Sequence, residues 1–516
     1  MHNLAVNLER SAALFPNKVA IRMGEENVTF SELNTLASNV ATHLVALGLE
    51  PGDKVALSCP NVPYFPIAYY GILKAGCVVV TLNVLLKQRE IAYHLNDCEA
   101  KAYLCFDGTE DLPMGKFGHE GFQHADACQH FIAMPGQTSS PNPSLQHWLS
   151  APASPFESIV RQGDDTAVIL YTSGTTGQPK GAELSHSNMM TNAMSSQNLM
   201  RLEYSDTAMA TLPLFHSFGQ TVIMNASILT GATMVLVPRF EPNEVMNLIV
   251  NNKVSVFAGV PTMYIALLRA SEQSTALSEK VKQSLRVGIS GGSALPLETI
   301  RQFESRFELP ILEGYGLSET APVATFNHID SDRLAGSVGQ PLCGHMIKII
   351  DLAGNLLPTH AHGEICVKSP SVMKGYFNRP EATKDAFANG WFKTGDIGYL
   401  DAHCNLFIVD RVKDMIIRGG YNVYPREIEE VMMCHPSIDT VAVIGEPHER
   451  LGEEIHAHVI LKADADDTSE DTLVAWCKEQ LADYKYPRRI IIRQTFPMTA
   501  TGKILKRELH QKQQGE

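Results

Sequence analysis

Residues 171–181 read YTSGTTGQPKG, placing four hydroxyls (Thr172, Ser173, Thr175, Thr176), three glycines and Lys180 in one short loop behind an apolar run. Glycine admits positive φ, so several backbone N–H groups can converge on one point and form a nest for an anion. The hydroxyls add donors suited to phosphate oxygens, and the lysine adds charge. A Walker A loop requires GxxxxGK[ST]; here Pro179 stands five residues after Gly174, and Gly181 follows Lys180. Composition therefore leaves two readings open, a phosphate cradle of another kind and an ordinary polar surface loop.

Further residues could do chemistry in the right company. Glu319 follows the turn Gly314-Tyr315-Gly316 at the expected end of a strand, where open α/β sheets bind their ligands. A lone glutamate in such a turn reads by itself as a solvated charge. Asp396 in Thr394-Gly395-Asp396 is by itself a turn residue, and Lys503 in Thr501-Gly502-Lys503 by itself a solvated cation. For His216, in Phe215-His216-Ser217, a structural role is the default. Residues 288–292, GISGG, fit the GxSxG pattern of a hydrolase elbow behind an expected strand, but no HGGG-type segment accompanies them. The HxH pairs His360/His362 and His456/His458 lack further ligands and read as surface histidines.

These residues need a scaffold, and the patterning supplies one. Leu33, Leu36, Ala37, Val40, Leu44 and Leu47 recur at helical spacing, with Ser31 placed as N-cap and Gly48 as the stop. Strands are expected at 55–58, 77–82 and 102–105, with helices at 63–75 and 88–96 between them. The rhythm returns with strands at 167–171, 233–237, 254–258, 287–290 and 311–313. Strands without polar alternation, linked by helices, make buried parallel sheets, so the fold class is α/β with two packed α/β units. Residues 134–144, MPGQTSSPNPS, read as an exposed connection. From 336 to 407 short strands and Gly/Pro turns predict a small β-barrel or distorted sheet. A compact α+β unit follows, with helices at 425–434 and 472–481 and strands at 440–444, 455–461 and 489–493. The boundary is placed at 410/411, giving an N-terminal unit over 1–410 and a C-terminal unit over 411–516.

The 516 residues carry 44% hydrophobic and 19% charged side chains, ordinary for a globular protein, and a formal net charge of −14. That charge excludes a general field for nucleic acid, so any polyanionic ligand must be held locally. Ten cysteines are scattered without a CxxC spacing, which predicts reduced thiols rather than a disulfide framework. No apolar stretch is long enough to span a bilayer, and neither end carries a sorting signal, so a cytoplasmic protein is expected. Peripheral membrane contact and a homodimer stay open.

YTSGTTGQPKG resembles the signature loop of the adenylate-forming superfamily: acyl-CoA synthetases, coumarate-CoA ligases, luciferases and peptide-synthetase adenylation domains. Further segments match in the same order: LPLFHSFG (212–219), GGSALP (291–296), EGYGLSET (313–320), GWFKTGDIG (390–398), DRVKDMIIRGGYNVYPREIE (410–429) and PMTATGKILKREL (497–509). Nothing over 107–158 matches. The resemblance implies a large N-terminal lobe of two doubly wound α/β subdomains plus a small β-barrel, and a small mobile α+β C-terminal domain. It implies ATP held by Thr172, Ser173, Gly174, Thr175, Thr176 and Lys180, and by Gly291, Gly292, Ser293, Glu313, Gly314, Tyr315, Gly316 and Ser318. Glu319, with Thr172, would hold Mg2+; Asp396 and Arg411 would hold the ribose; His216 would border the acyl pocket.

For Lys503 the resemblance and the chemistry agree. Attack of a carboxylate on the α-phosphate brings two anions together and needs fixed positive charge, and the family places one C-terminal lysine there. The same small domain is implied to rotate about Lys413, so that Gly419, Gly420 and Tyr421 line the tunnel for coenzyme A. Segments 83–95, 315–328 and 419–432 look most like bacterial medium- and long-chain fatty acid-CoA ligases. The implied reaction joins a fatty acid to ATP as acyl-AMP with release of pyrophosphate, then forms acyl-CoA and AMP. Residues near His216 and at 260–264, 291–294 and 321–323 are expected to line the acyl tunnel. An aryl (coumarate-like) acid-CoA ligase and a non-catalytic acyl or nucleotide sensor are the alternatives.

Overall fold

The computed structural model describes residues 3–136, 144–152, 155–172, 178–351, 353–412, 414–419, 421–462, 465, 468–499 and 504–510. The apolar strands of the first half assemble into two large sheets. One runs, edge to edge, Gly375–Tyr376, Lys180–Ser185, Thr166–Thr172, Val78–Thr81, Lys54–Ser58, Ala100–Phe106, His130–Met134. Its five strands from Thr166–Thr172 to His130–Met134 pair in parallel. The Val78–Thr81 strand is buried along its whole length, as a sheet covered on both faces requires.

The second sheet has nine strands, with Val287–Ser290 and Ile311–Gly316 paired in parallel near one end and the hairpin Val19–Met23/Glu26–Thr29 at the other. One apolar core joins both sheets: Leu57, Val79, Ala210, Leu236 and Val256 belong to the same buried cluster. This continuity packs the two α/β units into one lobe. The sequence periodicity did not register the first helix, Val6–Leu14, or the opening hairpin. Both are short and polar-interrupted; packing on the helices Phe30–Ala46 and Ala226–Thr230 decides the first, and pairing at the edge of the second sheet decides the hairpin.

Two local expectations need correction. The helix Phe30–Ala46 is capped by Thr29, whose hydroxyl accepts from the Glu32 amide at 3.2 Å while the Glu32 carboxylate accepts from the Thr29 amide at 2.8 Å. Ser31 lies inside the first turn instead, because the reciprocal capping box satisfies two free donors and outcompetes a lone serine. Met134 is the buried last residue of a strand rather than part of an exposed connection; residues 137–143 lie outside the described residues.

A third, five-stranded sheet combines Met346–Ile350, Gly363–Lys368, Phe387–Ala388, Trp391–Leu400 and Leu406–Arg411 around Ile349, Ile365, Val367 and Leu406. The fourth contains Ile416–Arg418, Tyr421–Val423, Ile438–His448, Gly452–Leu461 and Arg489–Ile492, covered by the helices Pro425–Met432 and Glu470–Gln480. No described helix is long and apolar enough to cross a membrane.

Candidate active site

A large cavity opens where strands of both large sheets end and the C-terminal sheet faces them. Its walls include Thr172, Lys180, His216, Gly291, Glu319 and Asp396 from the large lobe, and Thr499, Ile504 and Lys506 from the C-terminal unit. The sequence separates these groups by more than three hundred positions. Strand ends bring them together.

Thr172 closes the strand Thr166–Thr172 and pairs across a hairpin with Lys180. Its hydroxyl donates to Glu319 Oε1 at 3.4 Å, and the Tyr376 hydroxyl donates to the same oxygen at 3.0 Å. The Lys180 ammonium stands 5.3 Å from the centre of the Tyr376 ring. Burial pushes the Glu319 carboxyl above its ordinary value, and the hydroxyl donors only partly oppose this. Among the described residues no basic side chain forms an ion pair with it. A buried carboxylate flanked by hydroxyls beside a phosphate-type loop fits a Mg2+ ion that draws its other ligands from phosphate and water. Tyr376 was missed in the sequence: it sits on the strand Gly375–Tyr376, which pairs with Lys180–Ser185 from nearly two hundred residues away.

Asp396 and Arg411 face one another in the register of neighbouring antiparallel strands, and their side chains pair at 3.3 Å. The Tyr315 hydroxyl donates to the other Asp396 oxygen at 2.6 Å, which ties the strand Ile311–Gly316 to the small sheet; Gly314-Tyr315-Gly316, expected as a turn, extends that strand and pairs with Val323–Phe326. Gly292 has φ of +86°, and Gly292 and Ser293 are exposed to the cavity. Gly314, Gly316 and Ser318 line it as well, the Ser318 hydroxyl lying 3.5 Å from that of Ser217.

Glu313 is buried in the same wall and takes only a long hydrogen bond, 3.4 Å, from the Leu295 amide. Desolvation raises its pKa to about 7 against the opposing charge of Arg426. A carboxyl raised in the folded state contributes stability that is full below its unfolded pKa and is lost as pH climbs through the folded value. Wild-type protein should therefore lose stability between pH 5 and pH 8 relative to Glu313→Gln, by on the order of 1–3 kcal/mol. Thermal melts of the two proteins across that range check it, and parallel curves would contradict it.

His216 lines the cavity, its Nδ1 accepting from the Phe218 amide at 3.3 Å. Its loop is held by a residue that sequence reasoning passed over. Buried Asn61 donates to the carbonyls of Ala210 and Leu212 and accepts from the Leu214 amide, each at 2.8–2.9 Å. A lone asparagine between Pro60 and Val62 carries no signal of this, since its partners lie about 150 positions away.

Other expectations resolve differently. Ser173, Gly174, Thr175, Thr176, Lys413, Gly420 and Lys503 lie outside the described residues. Thr499 and Ile504, the described residues nearest Lys503, do line the cavity. Gly419 and Tyr421 do not: the Gly419 amide donates to the Leu451 carbonyl at 2.8 Å, and Tyr421 packs on Tyr484 with centroids 5.0 Å apart. In the expected acyl wall, Pro261 and Thr262 line the cavity, but Tyr264 turns into a separate core and donates to the Ile289 carbonyl at 2.8 Å. Burial of the ring on that side of its helix decides the point.

Ser290 is fully buried, and among the described residues its hydroxyl has no hydrogen-bond partner and so no base to activate it, which goes against the elbow reading. His458 Nδ1 accepts from Arg493 Nε at 2.7 Å, and His362 stacks on Tyr399 at 5.1 Å. Among the described residues no cluster of histidine, cysteine and acidic groups could hold a metal by itself.

A phosphate-type loop at a strand end, a buried carboxylate beside it and a facing strand pair with Asp396 define a nucleotide-using enzyme of two unequal units. The family model for AMP-binding enzymes matches residues 8–377, and that for the AMP-binding enzyme C-terminal domain matches residues 427–503. The chain belongs to the AMP-binding enzyme family. It is 36% identical to a long-chain-fatty-acid–CoA ligase of Bacillus subtilis, over 97% of this chain and 93% of the relative. It is 35% identical to a 2-succinylbenzoate–CoA ligase of Bacillus licheniformis, over 97% and 98%. Among solved structures, ATP-bound MatB from Rhodopseudomonas palustris superposes with a TM-score of 0.90 at 32% identity, covering 99% of this chain and 98% of that one. The chain is an AMP-forming acid–CoA ligase that works through an acyl-adenylate and uses ATP, Mg2+ and coenzyme A.

Proposed function

We propose that the acid is a medium- or long-chain fatty acid. The observation that carries this reading is the set of apolar side chains that line the cavity together with His216: Phe215, Phe218, Pro261, Ile265, Pro322 and Val323. Apolar side chains of this kind reward burial of methylenes, at about 0.8 kcal/mol each.

In this reading the boundary between units falls at 410/411. The loop 172–176 and Lys180 hold the triphosphate, and Gly291, Gly292 and Glu313–Gly316 frame the adenine. Asp396, aligned by Tyr315 and Arg411, accepts from the ribose hydroxyls. Glu319 and the Thr172 hydroxyl would hold Mg2+, which would supply positive charge to the phosphates. His216 orients the carboxylate at the mouth of the acyl pocket, and Lys503 supplies positive charge where carboxylate oxygen meets α-phosphorus. Pyrophosphate then leaves, and the coenzyme A thiolate attacks the acyl carbon to release AMP. Because Gly419 and Tyr421 stand away from the cavity, the second step requires the C-terminal unit to turn.

One observation favours a second reading, a compact aryl acid. The Phe218 ring lies so close to Gly291 that a Cβ there would sit 2.9 Å from it, and in this second reading the ring closes the end of the acyl pocket. Thioester formation across acids from acetate to oleate, with coumarate included, separates the two. Highest kcat/KM on a chain of eight or more carbons is expected; preference for coumarate would sink the fatty-acid reading. Phe218→Ala should shift the optimum toward longer chains, by about tenfold in relative kcat/KM, the range that one or two methylenes command in an apolar pocket.

A further inference from the structure

The helix Pro261–Gln273 turns Thr262, Ile265, Leu268, Arg269 and Glu272 toward the cavity at three-to-four spacing. Opposite stands the strand Ile438–His448 of the C-terminal unit, whose first residues line the same space. Arg269 and Asp439 form an ion pair across the gap. Asp439 Oδ1 faces the guanidinium, while Oδ2 is held at 3.1 Å by the Thr440 hydroxyl.

Contacts of Arg426 and Tyr424 also join the two units, but they sit beside the junction in sequence. Arg426 donates to Asp410 and to the Ile408 carbonyl, and the Tyr424 ring meets His362 edge-on at 5.9 Å. Contacts so near a pivot can survive its rotation. The Arg269–Asp439 pair links elements far from 411 and cannot.

We propose that Arg269 and Asp439 are a positioning pair, a latch that holds the C-terminal unit in the orientation where the segment flanking Lys503 faces the nucleotide. The proposal rests on the assignment of Lys503 to adenylation. The latch must open before Gly419 and Tyr421 can reach the cavity, so it favours the first half-reaction and opposes entry into the second. A partly exposed ion pair adds little to the stability of a fold. Its leverage lies in the balance between two orientations of similar energy, where a small differential contact shifts the populations several-fold.

The test uses the full chain with Arg269→Glu, Asp439→Arg and the exchanged double variant. Acid-dependent ATP–pyrophosphate exchange reports adenylation, and thioester formation from preformed acyl-adenylate reports the second step. Each single variant should lower exchange by about three- to tenfold and leave thioester formation unchanged or faster. The double variant should return exchange to within about twofold of wild type. Added salt should slow exchange in wild type more than in Arg269→Ala. Full exchange in both single variants, equal losses in the two half-reactions, or no recovery in the double variant would each overturn the latch. Lys503→Ala measured alongside keeps the two ideas apart: full exchange there removes the lysine assignment, whereas the singles and the exchange of charge judge the pair.

Discussion

Lys503→Ala should slow acyl-adenylate formation by about 100- to 1,000-fold, equivalent to roughly 3–4 kcal/mol of transition-state stabilisation. The size of the effect follows from the charges. A carboxylate and a triphosphate both carry negative charge into the reacting geometry, and the protein's formal charge of −14 supplies no general attraction. A cation must be delivered locally, and Thr499 and Ile504, the described residues nearest Lys503, line the cavity. Thioester formation from preformed acyl-adenylate should fall less than threefold, because no anion attacks phosphorus in that step. ATP–pyrophosphate exchange and single-turnover thioester formation provide the two rates. Equal losses in both would mean that Lys503 supports the fold instead of the chemistry.

Glu319→Gln should reduce adenylation by about 100-fold and move its Mg2+ dependence to higher concentration, since a neutral amide is a poorer ligand for a hard cation. The stability of the free protein should move the other way. Burial raises the Glu319 carboxyl above its ordinary value, so its contribution to stability is full at low pH and is lost as pH rises through the folded value. At pH 7–8 the glutamine variant, which keeps the contacts to Tyr376 and Thr172 without a buried charge, should melt at or above the wild-type temperature. Gain of stability with loss of activity marks a residue retained for its ligand. A variant both less stable and less active would point to a structural carboxylate, and the metal assignment would fall.

Much of the scaffold is legible because parallel strands buried on both faces must be apolar throughout. Val78–Thr81 and Val287–Ser290 could be read for that reason. The helix Val6–Leu14 and the hairpin Val19–Met23/Glu26–Thr29 could not, since their polar residues break the period and only tertiary packing, on two helices for the first and in the second sheet for the hairpin, determines which side is buried. The expected site shows the same division. Thr172, Glu319 and Asp396 stand in short contiguous segments that resemble the family's motifs, whereas Tyr376 and Asn61 are single residues made useful by distant partners. Tyr264 shows the converse error: a position inside the expected acyl wall proves to face a different core.

The sequence alone pointed to the class of chemistry, because the loop at 171–181 and the further segments that resemble the adenylate-forming superfamily are each contiguous, and contiguity is visible in a linear string. It also determined the order of the α/β and β-rich regions, since burial on two faces leaves an unbroken apolar pattern. Tertiary structure alone decided the rest. It placed Tyr376 on Glu319 and Tyr315 on Asp396, turned Phe218 onto Gly291, and set Arg269 against Asp439 across the cavity. Each of these contacts joins residues that local propensity cannot relate, and only the packing of sheets and units brings them within reach.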